Sequence, residues 1–153
     1  QGRRGHQNGV APHHHRHKSS PHPFAPHPHQ APTIEWQKSL GGTNTDIPYG
    51  LVQTVDGEFV VAGLTFSNNG DVPGNHSNIE DVWVVKLDSN GSVLWSKNYG
   101  GSGDDEALSL VESSDGGYVF AGYAKSNNGD VIGNHGLGNS DFWVVIHLPQ
   151  FLA

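Results

Sequence analysis

The chain of 153 residues contains no cysteine and no methionine. The first absence excludes disulfides, thiolate catalysis and cysteine-based zinc sites, and leaves the compartment open. The second means that no initiator residue is present, so the sequence is expected to be a processed mature form, with Gln1 left by signal-peptide removal, or an excised fragment. No run of about 18 apolar residues exists, and no membrane insertion is expected. Nor is there a nucleophile elbow, a phosphate loop or an HExxH helix, and the expectation is a protein that is not an enzyme.

Acids are missing from one part of the chain and bases are scarce in the other. Residues 1–32 hold four bases and no acid, whereas residues 33–153 hold all fifteen acids and the other four bases, giving net charges of +4 and −11. Such segregation favours docking of the tail of one copy on the body of another. It argues against nucleic acid as a partner, because an acidic surface repels phosphate.

The tail itself cannot build a core, since Phe24 is its only bulky apolar side chain. It carries eight of the eleven histidines and six of the nine prolines, and Pro21 to His29 reads as extended polyproline II. Imidazoles such as His13, His14 and His15 suit Cu, Zn or Ni, which makes metal sequestration one reading and a solvated linker the other. An N-terminal copper clasp would need histidine where Arg3 stands.

Residues 33–153 are repetitive. At an offset of 59, Trp36 falls on Trp95, Gly41-Gly42 on Gly100-Gly101, Asp46 on Asp105, Asp56-Gly57 on Asp115-Gly116 and Ala62-Gly63 on Ala121-Gly122. Ser67 to Val72 falls on Ser126 to Val131 and Gly74-Asn75-His76 on Gly133-Asn134-His135; after one insertion, at an offset of 60, Trp83-Val84-Val85 falls on Trp143-Val144-Val145. A match this long marks tandem structural units, here about 41–99 and 100–148.

Each unit offers four candidate strands, about 49–55, 58–65, 81–88 and 92–98 in the first and about 108–114, 117–124 and 141–148 in the second. Turns at Asp56-Gly57 and Asn90-Gly91 separate the hairpin strands, Asn-Gly supplying the positive φ angles of a tight reversal. The fourth strand of the second unit is missing, and a spare one, Thr33 to Leu40, precedes the first. The predicted fold is therefore all-β: two four-stranded antiparallel, propeller-like blades, with an N-terminal strand completing a sheet. Two blades do not close a ring, since propellers need roughly four to eight. The expected assembly strand runs through Ile34, Trp36 and Leu40, pairing with the Trp143 and Val145 strand of a neighbouring copy in a heterologous contact that gives a ring or a filament. A compact monomer and a slice of a longer propeller are the rivals. The departure from the repeat after Leu148 looks like a true end.

The pattern Gly-Gly-(x)3-Asp-(x)4-Leu-Val-(x)3-Asp-Gly, Ala-Gly, Ser-Asn-Asn-Gly-Asp-Val-x-Gly-Asn-His and Trp-Val-Val-Lys-Leu-Asp-Ser-Asn-Gly, over residues 34–148, resembles tandem β-propeller-like repeats of secreted bacterial surface proteins. The resemblance implies a β fold and an extracellular or cell-surface location. In plan the chain is similar to extracellular fibre subunits that exchange strands.

Asp71 and Asp130 in the Asn-Asn-Gly-Asp loops, with Asp81 and Asp141 following, are oxygen ligands of the kind calcium uses, and Asn-Gly is equally a turn signal. His76 and His135 are expected to hydrogen-bond within their loops. Asp46 and Asp105 read as turn formers. Asn75-His76-Ser77 and Asn90-Gly91-Ser92 satisfy the glycosylation pattern, so glycans are candidate additions. Trp36, Trp83, Trp95 and Trp143 suit either a sugar platform or, as their apolar runs favour, core packing. The expected function is a secreted structural protein that self-assembles into an extracellular filament by strand donation and tail docking. A carbohydrate- or protein-binding surface module is the alternative.

Overall fold

Runs of branched and aromatic residues alternate along the chain with a period of two, and they fold as seven strands. These are β1 (Asp46–Gln53), β2 (Phe59–Thr65), β3 (Asp81–Leu87), β4 (Val93–Tyr99), β5 (Asp105–Glu112), β6 (Tyr118–Ala124) and β7 (Asp141–His147). The computed structural model describes Gly2 and residues 31–76, 79–136 and 138–147, and among these there is no helix. The chain divides into two units, residues 1–33 and 34–153, and every described strand lies in the second. Expected metal ligands His13, His14 and His15 lie outside the described residues.

The strands form two antiparallel sheets, β1-β2-β3-β4 and β5-β6-β7, which are not closed into a barrel. The repeat is close enough to carry its irregularities. Both first strands bulge at the same place, at Tyr49 and at Leu108. Beside each bulge the neighbouring strand comes so close that a Cβ on Gly63 would lie 2.0 Å from the Ile47 carbonyl oxygen, and one on Gly122 would lie 1.8 Å from that of Glu106. The repeated Ala-Gly is thus a steric requirement of the bulge. Pairing past the bulge also starts β1 and β5 three residues earlier than the hydrophobic pattern predicts.

The hairpin turns differ from expectation. Among the described residues, none other than glycine has positive φ, so Asn90 does not share the left-handed geometry of Gly91, whose φ is +81°. The reversal instead spans Asp88 to Ser92, closed by Asp88 N–H to the Ser92 carbonyl at 2.9 Å, and Asp88 Oδ1 accepts the N–H groups of Asn90 and Ser92. This is the three-residue loop with a glycine bulge, and Gly57 and Gly116 make the same turn at φ +86° and +81°.

The expected strand over Thr33 to Leu40 joins no ladder in the single chain. A strand needs a partner's backbone, and no described strand offers it one. The segment instead lays Trp36 and Leu40 on the face of the first sheet formed by Phe59, Trp83, Val85 and Leu87. The main core lies between the sheets: Val60, Ala62, Val82, Val84 and Tyr99 of the first pack on Ala107, Leu110, Tyr118 and Phe120 of the second. Burial of these side chains, at about 25 cal/mol per Å², holds the two sheets together.

Candidate assembly interface

Each sheet has two faces, and the repeat gives them equivalent residues. In the first sheet, Val82 and Val84 face the second sheet and are 0% and 3% exposed. Their repeat mates Phe142 and Val144 face away from the core and are 101% and 61% exposed, with Val111 and Ile146 open beside them. The second sheet therefore presents an uncovered apolar face where the first presents a covered one. β7 is apolar on both sides, the pattern of a strand buried on both faces.

On the far side of the first sheet lies a groove of about 450 Å³ lined by Trp36, Leu40, Ile47, Leu51, Phe59 and Val61 among others. Its residues are the mates of those the second sheet turns toward the core: Leu51 of Leu110, Phe59 of Tyr118, Val61 of Phe120. Leu110 is buried, whereas Leu51 is 65% exposed. Trp36 meets Phe59 edge-on at 5.5 Å between ring centroids, and its mate Trp95 meets Tyr118 at 6.3 Å.

The expected assembly residues divide accordingly. Trp36 and Leu40 line the groove, and Ile34 is exposed. Trp143 and Val145 belong to the β7 edge only through their backbone, because alternation turns their side chains onto the core between the sheets. The side chains that stand open on β7 are Phe142, Val144 and Ile146, which sequence reasoning missed; the unbroken apolar run from Phe142 to Ile146 was the signal. Trp83 is buried, with Nε1 donating to Ser96 Oγ at 2.7 Å, Trp95 stacks on His147 and Trp143 meets Phe120 edge-on, so these three tryptophans are packing residues.

The Asn-Asn-Gly-Asp loops are stitched to the Gly-Gly segment ahead of the first strand of each unit. Asp71 exchanges two bonds with Gly41, and Asp130 does the same with Gly100, at 2.8 to 3.2 Å. Asn69 and Asn128 accept from Thr43 and Ser102 N–H. Asp105, fully buried, accepts N–H groups from Gly101, Lys125 and Ser126 and the Ser126 hydroxyl. Asp46 accepts the N–H of Gly42 and the hydroxyls of Thr65 and Ser67. One carboxylate oxygen each of Asp71 and Asp130, among the expected calcium ligands, thus accepts a backbone N–H. Among the described residues, no three histidine or acidic side chains form a metal-holding group.

At the junction of the two sheets, the structure brings Asp81 and Asp130 together through His76. The His76 N–H donates to Asp81 Oδ2 at 2.7 Å, its Nδ1 lies 3.1 Å from the same oxygen, and its Nε2 lies 3.6 Å from Asp130. The Asp105 N–H donates to the Glu80 carbonyl at 2.9 Å, linking the sheets directly. Burial pushes the Asp81 carboxyl up to about 6, against the pull of His76. His135 and Asp141 repeat the histidine contact at 2.8 Å, and there it holds the Asp141 carboxyl below the usual range. Both histidines thus bond to the first residue of the strand that follows their loop, where bonding within the loop was expected.

The two glycosylation patterns differ in availability. The Asn75 amide nitrogen donates to the carbonyls of Thr65 and Ile79, at 3.1 and 2.9 Å, and a glycan there would break both bonds. Asn90 is exposed at the tip of its turn. No helix among the described residues is long and apolar enough to cross a membrane. No protein-family model matches the chain, and no curated protein sequence matches it either.

Proposed function

We propose that this chain is a non-enzymatic, secreted structural subunit that self-assembles into an extracellular filament by strand donation. Segment 34–40 of one copy adds to β7 of another as the fourth strand of its second sheet. The observation that carries this reading is the seating of Trp36 on Phe59, which copies that of Trp95 on Tyr118. The segment thus occupies, beside the first sheet, the position that β4 occupies beside the second. A strand edge with free N–H and carbonyl groups takes such an addition.

The β3-β4 ladder sets the register, with Val82 opposite Tyr99, Val84 opposite Lys97 and Lys86 opposite Trp95. Its repeat puts Phe142 of one copy opposite Leu40 of the next, Val144 opposite Lys38 and Ile146 opposite Trp36. Opposite charges on tail and body favour docking of the tail along the same assembly. Deletion of residues 1–40 tests the reading: the truncated chain stays monomeric where the full chain assembles. Assembly that survives the deletion contradicts strand donation.

The aromatic lining of the groove favours a second reading, a module that binds carbohydrate or protein there. Such a module would remain a monomer with its segment 34–40 in place.

A further inference from the structure

We infer that the groove on the first sheet, lined by Trp36, Leu51 and Phe59, receives the open face of a second copy's second sheet, presented by Val111, Phe142 and Val144. This inference rests on the strand-donation reading and specifies its interface. A donated strand alone leaves two apolar surfaces in water, the groove on one side and the open face on the other.

The junction inside the chain supplies the template. There, the face built on Val82 and Val84 covers Leu110, Tyr118 and Phe120. Moving that arrangement along by one unit sets Phe142 and Val144 of one copy over Leu51, Phe59 and Val61 of the next. The segment 34–40 of the receiving copy already lies in the groove, where the template puts β4, so strand addition and face packing form one continuous surface. The contact is heterologous, because groove and face are different patches, and each copy carries one of each.

Polar groups at the rim agree with this docking. His76 of the template reaches Asp130 of the adjoining unit at 3.6 Å, and its mate His135 meets Asp71 of the next copy. The Glu80 carbonyl accepts from Asp105 N–H, and the carbonyl of its mate Ser140 meets Asp46 N–H of the next copy. Asp46 is half-buried in the single chain while Asp105 is sealed, as a site awaiting its cover would be. Where the template carries Lys86, paired with Glu58 at 2.5 Å, the open face carries Ile146, which suits the apolar groove.

The absence of cysteine gives the test a clean background. In the template a Cβ on Gly50 would lie 2.8 Å from Leu110 Cβ, so the mates Ser109 and Leu51 of adjacent copies come within disulfide reach after slight relaxation. Both are exposed, and their cysteine variants are expected to keep the fold. Full-length Ser109→Cys and Leu51→Cys chains are mixed and mildly oxidised, and the double variant is oxidised alone. The expected result is a linked dimer with one chain of each kind, no linked dimer of either variant by itself, and a ladder of multimers from the double variant. Filaments without these links overturn the docking and leave strand donation standing, and links formed by one variant alone overturn the heterologous contact. Monomers at every concentration by mass photometry overturn both.

Discussion

Trp36 meets Phe59 with ring centroids 5.5 Å apart and planes at 71°, outside any strand ladder of its own chain. Together with Leu40, that contact holds the N-terminal segment beside the first sheet in the manner of β4 beside the second. Replacing Trp36 by Ala removes both the ring and its grip on the segment. The single chain is expected to lose about 1 to 3 kcal/mol, since Trp36 is only half-buried. Assembly is expected to fall by far more than this. Chemical denaturation and sedimentation of the same samples separate the two effects, and equal losses would mean that the segment serves the monomer alone.

Phe142→Asp puts a charge on the open face at a residue that touches little in its own chain. Stability of the monomer is expected to change by no more than about 0.5 kcal/mol, while assembly is lost. Circular dichroism melts and mass photometry report the two quantities. Wild-type assembly by this variant would show that the face remains in water.

Ser109 stands where the template has Gly50, and in the proposed docking its Cβ would crowd the approach of the next copy. Ser109→Gly is therefore expected to lower the concentration at which assembly begins, although glycine weakens the strand itself by about 0.5 to 1 kcal/mol. Light scattering against protein concentration reads the shift. A raised threshold would mean that this stretch of β5 does not approach a neighbour.

Much of this was legible in the sequence. The offset between Trp36 and Trp95 marked the units, and alternation marked the strands from Phe59 to His147. That the segment 34–40 lies against the face of the first sheet was not legible, because its place is set by the packing of Trp36 and Leu40 on residues distant in sequence. Direction of side chains was the other gap: Trp143 and Phe142 are equally apolar, and only the register fixes which faces the core. The knot around Asp105 was hidden as well, since its Gly101 and Ser126 partners lie at opposite ends of the hairpin that folds them together.

Asp105 and Asp46 are repeat mates in unequal surroundings. Asp105→Ala leaves the buried N–H groups of Gly101 and Ser126 without their acceptor and is expected to cost about 3 kcal/mol or more. Asp46 is itself half-buried, where Asp105 is sealed, and Asp46→Ala is expected to cost about half as much. Urea denaturation of the two variants decides; equal costs would remove the distinction between a covered and an uncovered junction.

Asp81 sets a pH dependence. Its carboxyl is pushed up to about 6 by burial, above the ordinary 3.8, beside His76 and the carboxylate of Asp105. A raised folded-state value means that the neutral acid is the form the fold prefers. The contribution is complete below about pH 4 and is lost as pH rises through about 6, a change of about 3 kcal/mol. Asp81→Asn keeps a neutral side chain throughout, so its melting temperature relative to wild type is expected to rise by several degrees between about pH 4 and about pH 7. A constant difference would mean that Asp81 ionises without penalty.

Negative-stain electron microscopy of the full chain, with mass photometry of the same sample, tests self-assembly most directly. Filaments with the two sheets of each copy in one repeating series, growing with concentration, are the predicted result. Monomers at all concentrations, with the groove and Phe142 open to water, would contradict the account.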